Sequence, residues 1–167
     1  VARKYFTLLK KTFNIVAESF VTRNRMNVNI SYTILIKRHE DAIRVLQASK
    51  LIDQEGEISE EFSMIRNLII QHSCCKRAFI RGAFLVAGSI SNPEKSYHIE
   101  IVCTAEKKAE QLQEIINSFG LDAKVIVRKK SYVVYLKEGS QIVDLLNVME
   151  APIALMEMEN IRILKEM

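Results

Sequence analysis

The chain is short of the residues that break or brace a fold. It has five glycines, two prolines and no tryptophan in 167 residues, so long structureless loops are not expected. Three cysteines, two of them adjacent (Cys74, Cys75), make a poor disulfide framework. A reducing, cytoplasmic setting is the better reading. No apolar run reaches the roughly 18 residues needed to cross a bilayer, so no membrane partner is expected. Near the start, Arg3, Lys4, Lys10 and Lys11 interrupt any apolar core that a secretory signal would need. An initiator methionine is also lacking, which points to a stretch of a longer chain.

What is present suits a folded protein. Hydrophobic residues make up 49% and charged residues 26%, which excludes a disordered tail or a coiled-coil rod. The length suffices for one core, or for two small lobes sharing one. Apolar Tyr5, Phe6, Leu8, Leu9 and Phe13 predict a helix over 2–13. Strands are predicted at 16–22 and 27–36, the second with Val28, Ile30, Tyr32, Ile34 and Ile36 alternating with polar residues. Helices follow at 40–51 and from Ser59 to about Gln71. Residues 74–87 read as an apolar helix rich in small residues, 97–103 as a strand, and 105–119 as an amphipathic helix with Leu112, Ile115, Ile116 and Phe119 inward. A hairpin of 123–128 and 132–137 and two helices separated by Pro152 complete the chain.

The order helix–strand–strand–helix occurs twice. Phe13, Ile15 and Ala17 fall on Phe119, Leu121 and Ala123 at an offset of 106, and a basic turn and a tyrosine-bearing strand (Tyr32, Tyr135) follow each. The chain reads as one and a half copies of an αββαββα unit, with a partial first lobe and linker over 1–73 and a second lobe over 74–167.

With Lys129–Lys130 as its turn, the second hairpin pairs Arg128 with Ser131, Ile126 with Val133 and Lys124 with Tyr135. Val125, Val127, Tyr132, Val134 and Leu136 then form the core face. Lys124, Arg128 and Tyr135 are left for solvent or a partner. Windows 21–38 and 123–137 hold Arg23, Arg25, Lys37, Arg38, Lys124, Arg128, Lys129, Lys130 and Lys137 and no acid. The remainder holds 15 basic and 20 acidic residues, so the net charge of +4 hides a polarised molecule that suits a polyanion. Basic residues also guard edge strands against aggregation, and that alternative stays open.

The stretch CCKRAFIRGAFLVAGSISNPEKSYHIEIVC (74–103), continued by RKKSYVVYLKEGSQIVDLLN and ENIRILKEM, resembles the WhiA family of bacterial sporulation and cell-division regulators. The resemblance implies an α/β (α+β) fold of the LAGLIDADG homing-endonuclease type, αββαββα lobes whose antiparallel sheets are covered by helices on one face. Family members are longer at both ends and carry a helix-turn-helix DNA-binding domain, which this stretch would lack, together with the opening helix and hairpin of the first lobe. The signature nonapeptide falls on 80–88. Gly82 and Gly88 match its glycines, and Gly82, Ala83, Val86, Ala87 and Gly88 would form the helix surface between lobes. The eighth position, acidic in active homing endonucleases, is Ala87, and the sixth is Leu85. Alanine cannot hold the divalent metal that activates water.

The resemblance therefore implies a non-catalytic scaffold that contacts double-stranded DNA through the nine basic residues, nucleoid-associated and without a cofactor. A protein-interaction module and a residual metal-dependent nuclease are the other classes. A homodimer through helix 74–87 is a further expectation. His72, Cys74, Cys75, His98 and Cys103 lack the spacing of a zinc site, and Glu94, Glu100 and Asp144 are the carboxylates a nuclease reading would need. Tyr32 and Tyr135 could stack on bases but more commonly fill a core edge.

Overall fold

In the computed structural model, residues 1–23, 30–53, 55–57 and 69–167 are described. The chain divides into two compact units, 1–62 and 63–167. The helix predicted between Ser59 and Gln71 falls almost wholly outside the described residues.

The first unit runs α1 (Ala2–Phe13), β1 (Glu18–Arg23), β2 (Ile30–Leu35) and α2 (His39–Ala48). The strands pair antiparallel, from Glu18 opposite Leu35 to Arg23 opposite Ile30. Leu9, Ile15, Ala17 and Val45 form its core, with Phe6, Phe13, Ile34 and Ile36 packed around them. Tyr5 and Leu8, placed on the apolar stripe by their spacing, are about half exposed. The buried stripe is the narrower set Phe6, Leu9 and Phe13, three and four residues apart.

The second unit runs α3 (Ser73–Ala87), β3 (Gly88–Ile90), β4 (Ile99–Cys103), α4 (Glu106–Asn117), β5 (Lys124–Arg128), β6 (Ser131–Leu136), α5 (Gly139–Val148) and α6 (Pro152–Glu166). Its antiparallel sheet has the order β3-β4-β6-β5. Ile99, Ile101, Val134 and Leu136 point to one face and bury against Ile80 of α3, Leu112, Ile115 and Ile116 of α4, and Ile142, Leu145 and Leu146 of α5. Helices therefore cover one face of the sheet. Pro152 opens α6, where its missing N–H has no helical acceptor to lose.

The internal repeat has a backbone signature. Asn14 and Gly120, just past α1 and α4, both take left-handed φ (56° and 81°), and so do Lys50 and Glu150 past α2 and α5 (both 55°). Left-handed residues after a helix end satisfy its last carbonyls. The first pair lies 106 apart, as do the buried pairs Ile15/Leu121 and Ala17/Ala123. The second lies 100 apart, as do Val45/Leu145. The offset changes within the hairpin, where the first copy has six more residues between equivalent strand positions. Tyr32, opposite Val21, is thus equivalent to Tyr132, opposite Val127, and not to Tyr135.

Candidate nucleic-acid interface

The register of the second hairpin is the one read from the sequence: Lys124 opposite Tyr135, Ile126 opposite Val133, Arg128 opposite Ser131. The strand β4 adds what the hairpin alone does not contain. It pairs with β6, setting Glu100 opposite Tyr135 and Val102 opposite Val133. Period-two alternation then places His98, Glu100, Val102, Val133, Tyr135, Lys124 and Arg128 on the face away from the helices.

Glu100 is the hub of that face. Arg128 donates from Nη1 to Glu100 Oε2 at 3.2 Å and from Nη2 to Oε1 at 3.0 Å. His98 Nε2 lies 3.1 Å from Oε2, and Ser89 Oγ on β3 lies 3.4 Å from Oε1. His98 and Arg128 hold the Glu100 carboxyl below its ordinary value, against burial, which pushes it up. The side chain of Glu100 is only 13% exposed, that of Arg128 55%. Tyr135 lies between the His98 ring, 5.8 Å away, and the Lys137 ammonium, 5.2 Å from its ring centroid.

Two burial assignments differ from the hairpin reading. Val127, assigned to the core face, is 67% exposed, next to the end of the edge strand β5. Val133, on the other face, is 1% exposed. It sits on the inner strand β6, opposite Val102 of β4 on one side and Ile126 of β5 on the other.

The remaining basic residues occupy different settings. Lys37 pairs with Glu18 at 2.6 Å, Lys124 with Asp122 at 2.6 Å, and Arg38 with Glu40 and Asp41 at 3.2 and 3.7 Å. The lysine and arginine side chains are all more than half exposed, and such pairs contribute roughly 0–1 kcal/mol, too little to withhold a cation from a polyanion. Lys129 and Lys130 form the exposed tip between β5 and β6, and among the described residues neither they nor Arg23 carries an ion pair. Arg25 lies outside the described residues. Lys129 takes a left-handed φ of 59°, a conformation that costs a side-chain-bearing residue about 1 kcal/mol.

At the exit of α3, Gly88, the first residue of β3, has no room for a side chain unless Phe84 shifts. A Cβ there would stand 2.2 Å from Phe84 Cδ2 and 2.6 Å from the Phe84 carbonyl oxygen. A Cβ on Gly82 would meet nothing within 4 Å. Ala83 packs on the unit's own core, Ala87 is half-buried, and Val86 and Leu85 are 74% and 49% exposed. The two glycines thus answer different needs, a tight exit from α3 at Gly88 and an open surface at Gly82.

No three histidine, cysteine or carboxylate side chains among the described residues converge on a possible metal position. Asn92 caps the loop that carries Glu94, its Oδ1 accepting from the Glu94 N–H and its Nδ2 donating to Glu94 Oε2; Asp144 is exposed on α5, and Glu100 is taken by Arg128 and His98. Cys74 and Cys75 Sγ are 3.9 Å apart, well beyond a disulfide bond of about 2.05 Å. The neighbouring Cys74 thiol and burial raise Cys75, and burial raises Cys103, so neither is an activated thiolate. Among the described residues no helix is long and apolar enough to cross a membrane.

Comparison with known proteins gives this arrangement a family. The chain is 54% identical over 168 residues to "Probable cell division protein WhiA" of Lachnoclostridium phytofermentans, and 44% identical over 168 residues to the protein of that name from Alkaliphilus oremlandii. All of the chain is aligned in each case, against 53% and 52% of the relative, so it spans about half their length. A crystal structure of full-length DUF199/WhiA from Thermatoga maritima superposes with a TM-score of 0.66 at 22% identity, over 98% of this chain and 49% of that one. The structure of I-DmoI in complex with DNA and Mn gives 0.58 at 12% identity, over 90% and 72%. These two show the α+β fold with antiparallel sheets and helices. The model of the WhiA LAGLIDADG-like domain matches residues 76–167, more than half of the sequence, and the chain belongs to that family.

Proposed function

We propose that this chain is a non-catalytic scaffold of a WhiA-type regulator that holds double-stranded DNA through phosphate contacts on its open strand face. The observation that carries this reading is the tip of the β5–β6 hairpin. Lys129 and Lys130 are exposed beside Arg128 and Lys124, on a sheet whose other face is filled by helices. The structural neighbour I-DmoI was solved with DNA on the same fold class. Phosphate contacts of this kind give affinity and register without reading sequence. Lys137 of the second unit adds to that electrostatic term, and Arg23, Lys37 and Arg38 are the corresponding cations on the first unit's own hairpin and its flank. Ala87 and Leu85 at the signature positions, and the sequestration of Glu100, argue against hydrolysis. A cytoplasmic, nucleoid-associated location follows from this role.

Fluorescence anisotropy of a labelled random-sequence duplex, from low to physiological salt, tests the reading. Binding is expected to weaken steeply with salt, and Lys129→Ala with Lys130→Ala is expected to lower the slope of log affinity against log salt by about 2. Plasmid incubated with magnesium should remain unnicked. Salt-independent binding, or nicking, contradicts the proposal. A protein-interaction module is the second reading, favoured by the exposed Leu85 and Val86 beside Gly82. On that reading duplex binding is absent, and self-association through α3 shows in light scattering.

A further inference from the structure

We propose that Glu100 is an internal counter-ion that competes with phosphate for Arg128, so that the strand face engages a polyanion fully only when this pair opens. The inference rests on the nucleic-acid reading above and adds a residue that tunes it. Glu100 and Arg128 sit two strands apart, on β4 and β5, with β6 between them. Their bond is therefore not a by-product of neighbouring register; it closes across the surface that a ligand would cover. A carboxylate and a phosphate offer a guanidinium the same paired-oxygen geometry, so Glu100 occupies Arg128 in the manner a backbone phosphate would.

The exchange is feasible for three reasons. The guanidinium is the exposed partner and the carboxylate the covered one, so Arg128 can swing outward without unpacking the sheet. Glu100 keeps His98 and Ser89 within hydrogen-bond reach after Arg128 leaves, which avoids an orphaned buried charge. Lys129 and Lys130 adjoin Arg128 in the chain and would bring phosphate to it. The exposed pairs of Lys37, Lys124 and Arg38 lack this property, because their partners are acids within four residues or across a solvated hairpin end. At high dielectric such pairs restrain their cations little.

The test is a double-mutant cycle of Glu100→Gln and Arg128→Ala in the 167-residue chain, read by duplex anisotropy at several salt concentrations. Glu100→Gln is expected to bind about tenfold tighter at low salt, with a slope steeper by about 1 because one more phosphate is neutralised. Arg128→Ala is expected to cost less than about threefold in the parent chain and about tenfold in the Glu100→Gln background. Equal costs in the two backgrounds, or unchanged binding by Glu100→Gln, overturn the counter-ion role. If Lys129→Ala with Lys130→Ala also leaves binding unchanged, the nucleic-acid reading of this face fails with it. A loss that is confined to the lysine variants sinks the counter-ion role alone. Should Glu100→Gln fold poorly, the Arg128 side-chain Nε–H resonance of the parent chain decides. It shifts on adding duplex if the pair opens, and stays in place if the proposal is wrong.

Discussion

Arg128 reaches across β6 to close on both carboxylate oxygens of Glu100. One ion pair thereby joins two strands that are not neighbours in the sheet and shapes the charge pattern of its open face.

This pair ties stability to pH in a defined direction. The Glu100 carboxyl is held below its ordinary value of 4.5. Its stabilisation is therefore fully present above about pH 4.5 and is lost as pH falls through the lowered folded value. Glu100→Gln is expected to be less stable than the parent by about 1 kcal/mol at neutral pH, and the gap should close in acid. Urea midpoints from pH 7 to pH 3 check this; a constant gap contradicts it.

Gly82 within α3 and Gly88 at its exit should behave oppositely. Gly88→Ala would drive a methyl into Phe84 and is expected to cost about 1–3 kcal/mol through overpacking. Gly82→Ala meets nothing within 4 Å and is expected to be neutral or to stabilise by up to about 1 kcal/mol through helix propensity. Thermal denaturation of the two variants side by side gives the comparison.

At the hairpin tip, charge and backbone can be separated. Lys129→Gly relieves the left-handed φ and is expected to hold or raise stability by up to about 1 kcal/mol. The same change removes a cation and is expected to weaken duplex binding. If binding and stability fall together, the tip acts through the fold and not through charge.

Ile80 anchors α3 to the core and is fully buried, while Val86, nearly two turns along, is 74% exposed. Ile80→Ala is expected to cost about 2–5 kcal/mol and Val86→Ala under about 0.5 kcal/mol. Comparable costs, measured by urea denaturation, would mean that α3 presents a different face to its core.

Much of this was legible in local pattern. Alternation and a two-residue turn were enough to read the β5–β6 register, since the partners are close in sequence and their side chains sort by face. The small residues of α3 were visible, but only the packing of Phe84 against Gly88 separates the glycine required within the unit from the one facing outward. The role of Glu100 was not legible. Its place in HIEIV marks it as the polar member of an alternating strand. Its pairing with Arg128 needs the knowledge that β4 lies beside β6, a pairing between segments some 30 residues apart. For the same reason a count of basic residues within hairpin windows overstated the free charge on this face. The equivalence of Tyr32 with Tyr132 was hidden because the two hairpins have connections of different length.

The decisive measurement is amide chemical-shift mapping of the 167-residue chain during titration with a short duplex. Shifts are expected to concentrate on 124–137, on Ser89 and on Glu100, and to grow as salt is lowered, with the outer surfaces of α3 and α6 unmoved. Shifts confined to those helices, or none at low salt, would contradict a DNA-binding strand face.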